Sequence, residues 1–457
     1  MRIGEHAVVC GAGIGGLIAA RVLSEHFDRV TVIERDALDG GERIGAPQTQ
    51  HVHVLLRLGV ELMEKSFPGI VEEMKKSGVA PLDFGRDLCW LQYGGWMPRC
   101  ESTFVLYPQT RFSLESHIRR RLGTFANVSF MTGTMVKGLL WSADQNRVIG
   151  VEAQAKGSES RCRVEADLVV DAGGRATQFY RWMEQAGYPH PDESKLQIDL
   201  CYVSRLYEPT ASTRDWRGMW VSPLVPKVQR GGTVQYVEGN RWIVTLFGYH
   251  GDFPPHDETG FLEFARNLLH PALYDAIKDA KPVSDVHVYK VHDERWRHLE
   301  RIKRYPAGLL AIGDAFCYFD PVFGQGMSVA MMEADILRKR LRGVKRAEQL
   351  NAAWAKAYFT ACSRWIQGVW YFVAGEALRH PQAPGERTRV VRMMQWLVTE
   401  LYALNSQYPS VYLRFLKLMH LTSGPEVLLH PDISLRLAMR ALRQWAGRGA
   451  RASAADA

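Results

Sequence analysis

The chain has 457 residues, of which 46% are hydrophobic and 23% charged, and its formal net charge is +8. This length suggests two or three domains of an ordinary globular protein, whose core is large enough to need neither disulfides nor metals. The seven cysteines form no CxxC pair, which favours neither a zinc site nor a disulfide framework and fits a cytoplasmic location. The sequence contains no run of 18 or more apolar residues, so we expect no transmembrane helix. The positive charge is consistent with a solvated basic surface and also with binding to an acidic partner.

A glycine-rich turn near the N-terminus carries the first functional signal. His6–Cys10 predict a buried strand, Gly11–Gly16 match G-x-G-x-x-G, and Ile14–His26 predict a helix whose apolar residues lie mostly on one face. A second predicted strand, Arg29–Ile33, ends at Glu34. In this pattern the glycines allow a tight turn, the approach of a pyrophosphate and close helix packing, and the acid binds a ribose. The predicted nucleotide contacts are Gly11, Gly13, Ile14, Gly15, Gly16, Glu34 and Arg35.

A second turn about 300 residues later selects FAD over NAD. Gly308–Ile312 predict a strand, Gly313 and Asp314 follow it, and Asp320–Gly326 (DPVFGQG) lead into a predicted helix. The aspartate suits the ribityl hydroxyls, and amides at the positive helix end suit N1 and O2 of a reduced flavin. Alone, this segment reads equally well as a plain strand-turn-helix connection. The predicted flavin contacts are Gly313, Asp314, Pro321, Gly324, Gly326 and Met327.

Two further segments lie between these turns. Ala166–Val170 predict a strand that leads into Asp171 and an Asp-x-x-Gly-Arg turn ending at Arg175. Arg111 stands at the start of an amphipathic helix, where it reaches a pyrophosphate or ribityl chain bidentately or is an ordinary surface cation. We predict that Asp171 and Arg111 contact the cofactor.

The order of GAGIGG, Glu34, Arg111, DAGGR and GDAFCYFDPVFGQG resembles the flavoprotein monooxygenases of the p-hydroxybenzoate-hydroxylase-like superfamily. PQTQHVHVLL, RWIVTLFGYHGDFPP and the helical C-terminus also look like bacterial FAD epoxidases that act on polyketide polyenes. The resemblance implies an α/β fold with a Rossmann-type, GR2-like FAD-binding domain, an inserted, mostly antiparallel β-sheet substrate domain and a C-terminal helical region. We predict residues 1–80, 105–180 and 290–345 for the first, 81–104 and 181–289 for the second, and 346–457 for the third.

The resemblance also implies a reaction. NAD(P)H or a partner flavin reductase reduces the FAD, O2 adds at C4a, and the hydroperoxyflavin epoxidises or hydroxylates an apolar, natural-product-type molecule. No second G-x-G-x-x-G marks a nicotinamide domain, and the absence of W-x-W-x-I-P argues against a flavin halogenase. The alternatives are a reductase or dehydrogenase of the geranylgeranyl-reductase type and a non-redox cyclase that keeps FAD as a scaffold. Because the flavin carries the chemistry, Arg43, His51 and Pro321 are only candidates for catalytic contact, and Arg43 is also a candidate flavin contact.

The rest of the chain is expected to enclose the substrate. Aromatic residues on predicted strands and turns are candidates to line an apolar pocket, although each also fits an ordinary core. They are Trp216, Trp220, Tyr236, Phe247, Tyr249 and Phe323. Residues 347–446 predict helices, and the basic amphipathic helix at 432–448 lies on a membrane, docks on a partner or packs on the chain. Basic and aromatic residues are not interleaved, so we expect no nucleic-acid partner, and no pattern predicts the oligomeric state.

Overall fold

The computed structural model describes residues 2–38, 50–210 and 214–455, with side chains described as far as residue 444. The chain divides into two compact units. Unit 1 comprises Met1–Val79, Gln109–Ile198 and Val291–Val373, and unit 2 comprises Ala80–Pro108, Asp199–Lys290 and Ala374–Ala457. These units are defined by packing alone, so the assignment of FAD-binding and substrate-binding domains stays a prediction.

The strands, in chain order, are β1 (Gly4–Cys10), β2 (Phe27–Ile33), β3 (Val52–His53), β4 (Leu82–Asp83), β5 (Leu88–Gln92), β6 (Gly95–Trp96), β7 (Val105–Leu106), β8 (Gln109–Thr110), β9 (Val128–Met131), β10 (Thr134–Trp141), β11 (Val148–Ala155), β12 (Cys162–Glu165), β13 (Leu168–Asp171), β14 (Glu193–Glu208), β15 (Gly218–Val221), β16 (Arg230–Val237), β17 (Arg241–Tyr249), β18 (Lys281–Pro282), β19 (His287–Arg297), β20 (Leu309–Ala311) and β21 (Cys317–Tyr318).

The α-helices are α1 (Ile14–Leu23), α2 (Arg57–Ser66), α3 (Ile70–Lys76), α4 (Arg111–Leu122), α5 (Phe179–Gln185), α6 (Glu258–Arg266), α7 (Ala272–Ile277), α8 (Gly326–Leu341), α9 (Ala352–Ala377), α10 (Arg389–Asn405), α11 (Pro409–Met419) and α12 (Pro431–Ala455). Together with the strands they confirm the predicted α/β class with a Rossmann-type sheet, an antiparallel sheet and C-terminal helices.

A parallel sheet forms the centre of unit 1. Its strand order is β20-β13-β1-β2-β9, and each neighbouring pair is parallel. The inner strands are short apolar runs, such as LVVD in β13, because both faces of a parallel sheet are covered. β1 lies in the middle, so the turn after Cys10 opens at the carboxyl edge, where open α/β sheets bind their ligands.

The first helix differs from its prediction in length and in burial. α1 ends at Leu23 rather than His26, since β2 already begins at Phe27. Its apolar residues do not form a single stripe: Ala19 and Ala20 are buried as completely as Leu17 and Val22. The helix packs against β1, α4 and α8, which cover it from several sides. An amphipathic pattern is therefore absent where a helix is enclosed.

Unit 2 is built on a mostly antiparallel sheet. The part of β14 from Asp199 onward pairs with β17, and the order continues through β16 and β15 to β5 and β6. Only β15 and β5 run parallel among these pairs. α6 and α7 supply Phe261, Leu273 and Ile277 to a core that also contains Trp242 and Leu246 of β17.

The C-terminal part of unit 2 is helical, as predicted. α10, α11 and α12 pack on one another, and residues 378–388 interrupt the helical run after α9. The predicted basic helix is present as α12, which begins at Pro431. Among the described residues, none of the helices combines the length and the low polarity that crossing a bilayer requires.

Candidate functional site

The glycines of the first turn are required by backbone geometry. Gly11 has a φ of +116°, and a Cβ at this position would lie 2.4 Å from the carbonyl oxygen of Ala172. A Cβ at Gly16 would lie 1.9 Å from the carbonyl oxygen of Gly11, so any side chain there would push α1 off the turn. These contacts are the physical reason for the first and third glycines of the fingerprint.

The second fingerprint lies directly beside the first. A Cβ at Gly15 would lie 3.7 Å from the Cα of Gly313 and 3.7 Å from the Cβ of Ala330 in α8. Gly313 has a φ of +63°, which favours glycine, and its turn follows β20. The two turns, 300 residues apart in sequence, are thus in contact within unit 1.

Two uncapped helix N-termini belong to these turns. α1 begins after Gly13, which has no side chain, and α8 begins after Gln325, whose side chain makes no capping hydrogen bond. Thr110, by contrast, caps α4. Uncapped amides at the positive end of a helix suit an anionic group. Gln325 is buried, and its Oε1 has no hydrogen-bond partner among the described residues. Both features fit a ligand that brings acceptors to the two helix N-termini and a donor to Gln325.

Arg111 lies over the first turn. A Cβ at Gly13 would be 3.5 Å from Nη2 of Arg111, so the glycine leaves space beneath the guanidinium. Nε of Arg111 is 2.8 Å from Oε1 of Glu115, a carboxylate that is 1% exposed and was not identified in the sequence. This ion pair fixes the stem of Arg111, whose side chain is only 14% exposed, and its contact with a cofactor stays a prediction.

Strand β3 brings the histidine segment to the same region. β3 pairs with β8 so that His53 lies opposite Gln109, two residues before Arg111. Nδ1 of His53 is 2.8 Å from the carbonyl oxygen of His51, which is buried. Burial, and then the charge of Arg111, lower the pKa of His53 to about 3, so this imidazole is neutral at physiological pH. Arg43, which the sequence predicts as a contact together with His51, lies outside the described residues.

Glu34 lies at the end of β2, as the fingerprint predicts. Its carboxylate is buried and accepts hydrogen bonds from the backbone N–H of Ala12, at 2.7 Å, and of Asp36, at 3.1 Å. Glu34 therefore also holds the glycine turn against β2. Arg35 beside it is exposed, and Ile14 is buried at the first position of α1.

The two aspartates of the later motifs occupy different environments. Asp171 is buried and accepts hydrogen bonds from Oγ1 of Thr177 and the N–H of Gly173, and burial raises its pKa to about 6. Asp314 is 39% exposed, and its Oδ2 is 3.2 Å from Nε of Arg175. Asp314 thus remains accessible to a ligand, whereas the contacts of Asp171 organise the turn before α5.

The segment before α8 is a 3-10 turn, Pro321–Phe323, capped by Asp320, whose Oδ1 accepts from the N–H of Val322 at 2.9 Å. Gly324 follows with a φ of +64°. The predicted flavin contacts at this turn are partly exposed: Pro321, Gly324, Gly326 and Met327. Phe323 packs edge-on against Phe372 of α9, with ring centroids 5.3 Å apart.

Two buried glutamates support the second turn and were missed from the sequence. Oε2 of Glu333 accepts from the N–H of Gly313 at 2.6 Å, and burial raises the pKa of Glu333 to about 8. Oε2 of Glu294 is 3.3 Å from the N–H of Asp320, and burial raises its pKa well above the ordinary value. Neither has a clear sequence signal: Glu333 looks like an ordinary helical residue in MSVAMMEAD, and Glu294 lies in the polar segment HDERWRH.

The aromatic residues predicted to line one pocket lie in separate groups within unit 2. Trp216 and Tyr236 pack around Trp242 in the core beneath α6 and α7. Phe247 and Tyr249 alternate with that core face along β17, so they point to the opposite side of the sheet. Trp220 stacks on Trp90, with centroids 5.1 Å apart. Which of them contacts a substrate stays a prediction.

Comparison with known proteins agrees with this geometry. Residues 5–369 match the family model described as "FAD binding domain". "Protein Rv3254" of Mycobacterium tuberculosis is 33% identical over 371 residues, which are 78% of each chain.

Three solved structures share the fold at low sequence identity. The "flavoprotein/dehydrogenase" of Cytophaga hutchinsonii has a TM-score of 0.67 at 13% identity and covers 97% of this chain and all of that chain (100%). The flavin-dependent brominase Bmp2 has a TM-score of 0.65 at 15% identity and covers 91% and 93%. PqsL, "a probable FAD-dependent monooxygenase from Pseudomonas aeruginosa", has a TM-score of 0.57 at 15% identity and covers 82% and 98%.

The family match spans both glycine turns and the segments between them, and the residues at the turns fit FAD as cofactor. The chain belongs to the family of the FAD-binding domain, within the p-hydroxybenzoate-hydroxylase-like superfamily of flavoproteins.

Proposed function

We propose that this flavoprotein is an FAD-dependent monooxygenase that epoxidises or hydroxylates an apolar, natural-product-type molecule. Bound FAD supplies the redox chemistry and the reaction with O2. The electrons come from NAD(P)H or from a partner flavin reductase. The chain itself has to hold the nucleotide, orient the isoalloxazine and keep water away from the reacting atoms.

The contact between the turns at Gly15 and Gly313 is the observation that carries this proposal. One turn offers the uncapped N-terminus of α1 with Arg111 above it, which suits a pyrophosphate. The other offers Asp314 and the uncapped N-terminus of α8, which suit ribityl hydroxyls and an isoalloxazine that becomes anionic on reduction. A ligand that spans both turns is therefore a long dinucleotide of the FAD type.

Two observations favour oxygen transfer over the other flavin reactions. The motifs of the FAD half resemble those of flavoprotein monooxygenases, and a less specific resemblance to FAD epoxidases extends over most of the chain. The fold is shared with PqsL, a probable FAD-dependent monooxygenase. A halogenase, the activity named for Bmp2, is less consistent with this chain, which has no W-x-W-x-I-P segment. The catalytic contacts that we propose are Pro321, His51 and Arg43, and Phe323 at the turn before α8 is the substrate contact that we propose within unit 1.

The test is mass spectrometry of products made under ¹⁸O₂ from a panel of polyenes and aromatic compounds. The purified holoprotein is supplied in parallel with NADH, with NADPH and with free flavin plus a flavin reductase. A matched set contains bromide under the same conditions, and a second set is anaerobic.

We expect one ¹⁸O atom in the product, no product without O2, and no brominated product. Unlabelled product that forms anaerobically with reductant would replace this proposal by a reductase of the geranylgeranyl-reductase type. Product formed with oxidised flavin and no reductant would replace it by a cyclase. The donor that supports turnover decides between NAD(P)H and a partner reductase.

A further inference from the structure

Helix α12 presents an apolar stripe to solvent. Leu435, Met439 and Leu442 are 63%, 52% and 65% exposed, and Ala438 between them is exposed as well. Their spacing of i, i+3, i+4 and i+7 places all four on one side of the helix. Single exposed leucines are common, but a stripe of this spacing on one helix marks an interaction surface.

The opposite side of α12 fastens the helix to unit 2. Ile433 and Leu437 are buried. Nε of Arg440 is 2.6 Å from Oε2 of Glu400, and Nε2 of Gln444 donates to Oε1 of the same glutamate at 2.7 Å. Both of these contacts join α12 to α10. The orientation of the helix is therefore fixed, and its outward side carries the apolar stripe.

The charge of this region identifies its partner. Residues 374–457 contain 11 Lys and Arg against six Asp and Glu, so five of the chain's eight net positive charges lie here. Arg443 is exposed beside the stripe, and Arg436 lies on the same flank, paired with Asp432 at 2.9 Å. A helix with an exposed apolar side and arginines along its flank is typical of helices that lie in the interface of an anionic bilayer.

The same charge disfavours a second copy of the chain as the occupant. A two-fold interface would place this surface against itself, and the arginines of α12 would face arginines. An anionic lipid surface offers the opposite charge together with an apolar layer for the leucines. We propose that the stripe on α12 docks unit 2 on a membrane surface that contains anionic phospholipids, without crossing it.

The test is co-sedimentation of the full-length holoprotein with vesicles of phosphatidylcholine alone and of phosphatidylcholine with about one third phosphatidylglycerol. The variant carries Leu435→Ser, Met439→Ser and Leu442→Ser. The matched control carries Met135→Ser, Val283→Ser and Val288→Ser, three exposed apolar residues elsewhere in the chain. Circular dichroism and light scattering report folding and oligomeric state for all three proteins, and the triple changes lie on the surface, where substitutions rarely unfold a protein.

We expect binding to the anionic vesicles only, weakened at least about tenfold by the α12 changes and unaffected by the control changes. Raising NaCl from about 0.1 M to about 0.5 M weakens the binding of the unaltered protein. Absence of binding to anionic vesicles, or equal binding by the α12 variant, overturns the proposal. A dimer that the α12 variant converts to monomer, with no vesicle binding, assigns the stripe to a second copy instead. None of these outcomes depends on turnover, so the proposed function is tested separately.

Discussion

The turns of unit 1 and the sheet of unit 2 use their residues in opposite ways. At Gly11 and Gly16 the backbone approaches so closely that no side chain fits, and one residue type is required. In the unit 2 core around Trp242 and Phe261, many apolar residues of suitable volume would serve. The first kind of constraint is specific to the geometry of this turn, whereas the second is satisfied by any well-packed core.

The most severe test of this contrast is Gly16→Ala. The added methyl would lie 1.9 Å from the carbonyl oxygen of Gly11, so α1 has to shift and the turn is lost. We expect a loss of more than about 4 kcal/mol in the free energy of unfolding and a protein that retains no flavin. Gly368→Ala is the control, because this exposed glycine of α9 has open space around it and the change stabilises the helix by about 0.5–1 kcal/mol. The soluble yield, the thermal midpoint and the flavin content of the two variants are compared. Normal flavin content in Gly16→Ala would contradict the requirement for glycine at this turn.

In unit 2 the largest effect should come from the core rather than from any single predicted pocket residue. Trp242→Ala removes a fully buried ring that stacks on Trp216, and we expect a loss of about 3–5 kcal/mol. Phe247→Leu, on the other side of the sheet, should cost less than about 2 kcal/mol because most of its volume is kept. Chemical denaturation compares the two, and equal losses would contradict the prediction, because Phe247→Leu removes much less volume than Trp242→Ala.

Glu333 links the second turn to pH. Its pKa of about 8 lies above the usual 4.5, so the unfolded chain releases this proton first as the pH rises. The stability that Glu333 contributes is complete below about pH 4.5 and falls by about 1.4 kcal/mol per pH unit until about pH 8. Glu333→Gln removes this slope, so the variant should gain about 3 kcal/mol relative to the unaltered protein between pH 5 and 7. Glu263→Gln, at an exposed residue of α6, is the control. Parallel stability curves for the Glu333 variant and the unaltered protein would show that this carboxyl ionises normally.

The smallest of these effects concerns cofactor affinity. We expect that replacing Arg111 removes the proposed contact with the pyrophosphate and weakens FAD binding by about 2 kcal/mol, or roughly 30-fold in the Kd. Arg111→Ala alone also breaks the ion pair of the buried carboxylate of Glu115, so the double variant Arg111→Met, Glu115→Met separates affinity from stability. Arg119→Ala on the same helix is the control. Unchanged FAD affinity in the double variant would make Arg111 a structural residue only.

Much of unit 1 could be predicted because its motifs require particular residue types at fixed spacings in the sequence. Gly11 requires glycine because of its positive φ and the close approach of Ala172, and Gly313 requires it because of its positive φ. Both turns follow strands of one parallel sheet, in which β13 lies between β1 and β20. The glutamates that hold the turns could not be predicted so readily. Glu333 and Glu115 look like ordinary helical residues in sequence, and only the packing around α8 and α4 shows that they are buried.

The substrate side is less predictable for a physical reason. A tryptophan such as Trp216 contributes the same apolar area to a core as to a pocket, so strand periodicity does not separate the two uses. The structure places Trp216 and Phe247 on different sides of one sheet. The alternation along β17 fixes the side of Phe247, but Trp216 lies outside the strands, so no alternation predicts its side.

We propose that the turns at Gly15 and Gly313 together hold one FAD. Titration of the apoprotein with nucleotides of different length tests this proposal. Apoprotein is titrated with FAD, FMN and ADP, and binding is followed by flavin fluorescence and calorimetry. We expect one FAD per chain, much weaker binding of FMN and of ADP because each reaches only one turn, and loss of FAD binding in Gly16→Ala. A colourless protein that binds no FAD, or that binds FMN as tightly as FAD, would contradict it.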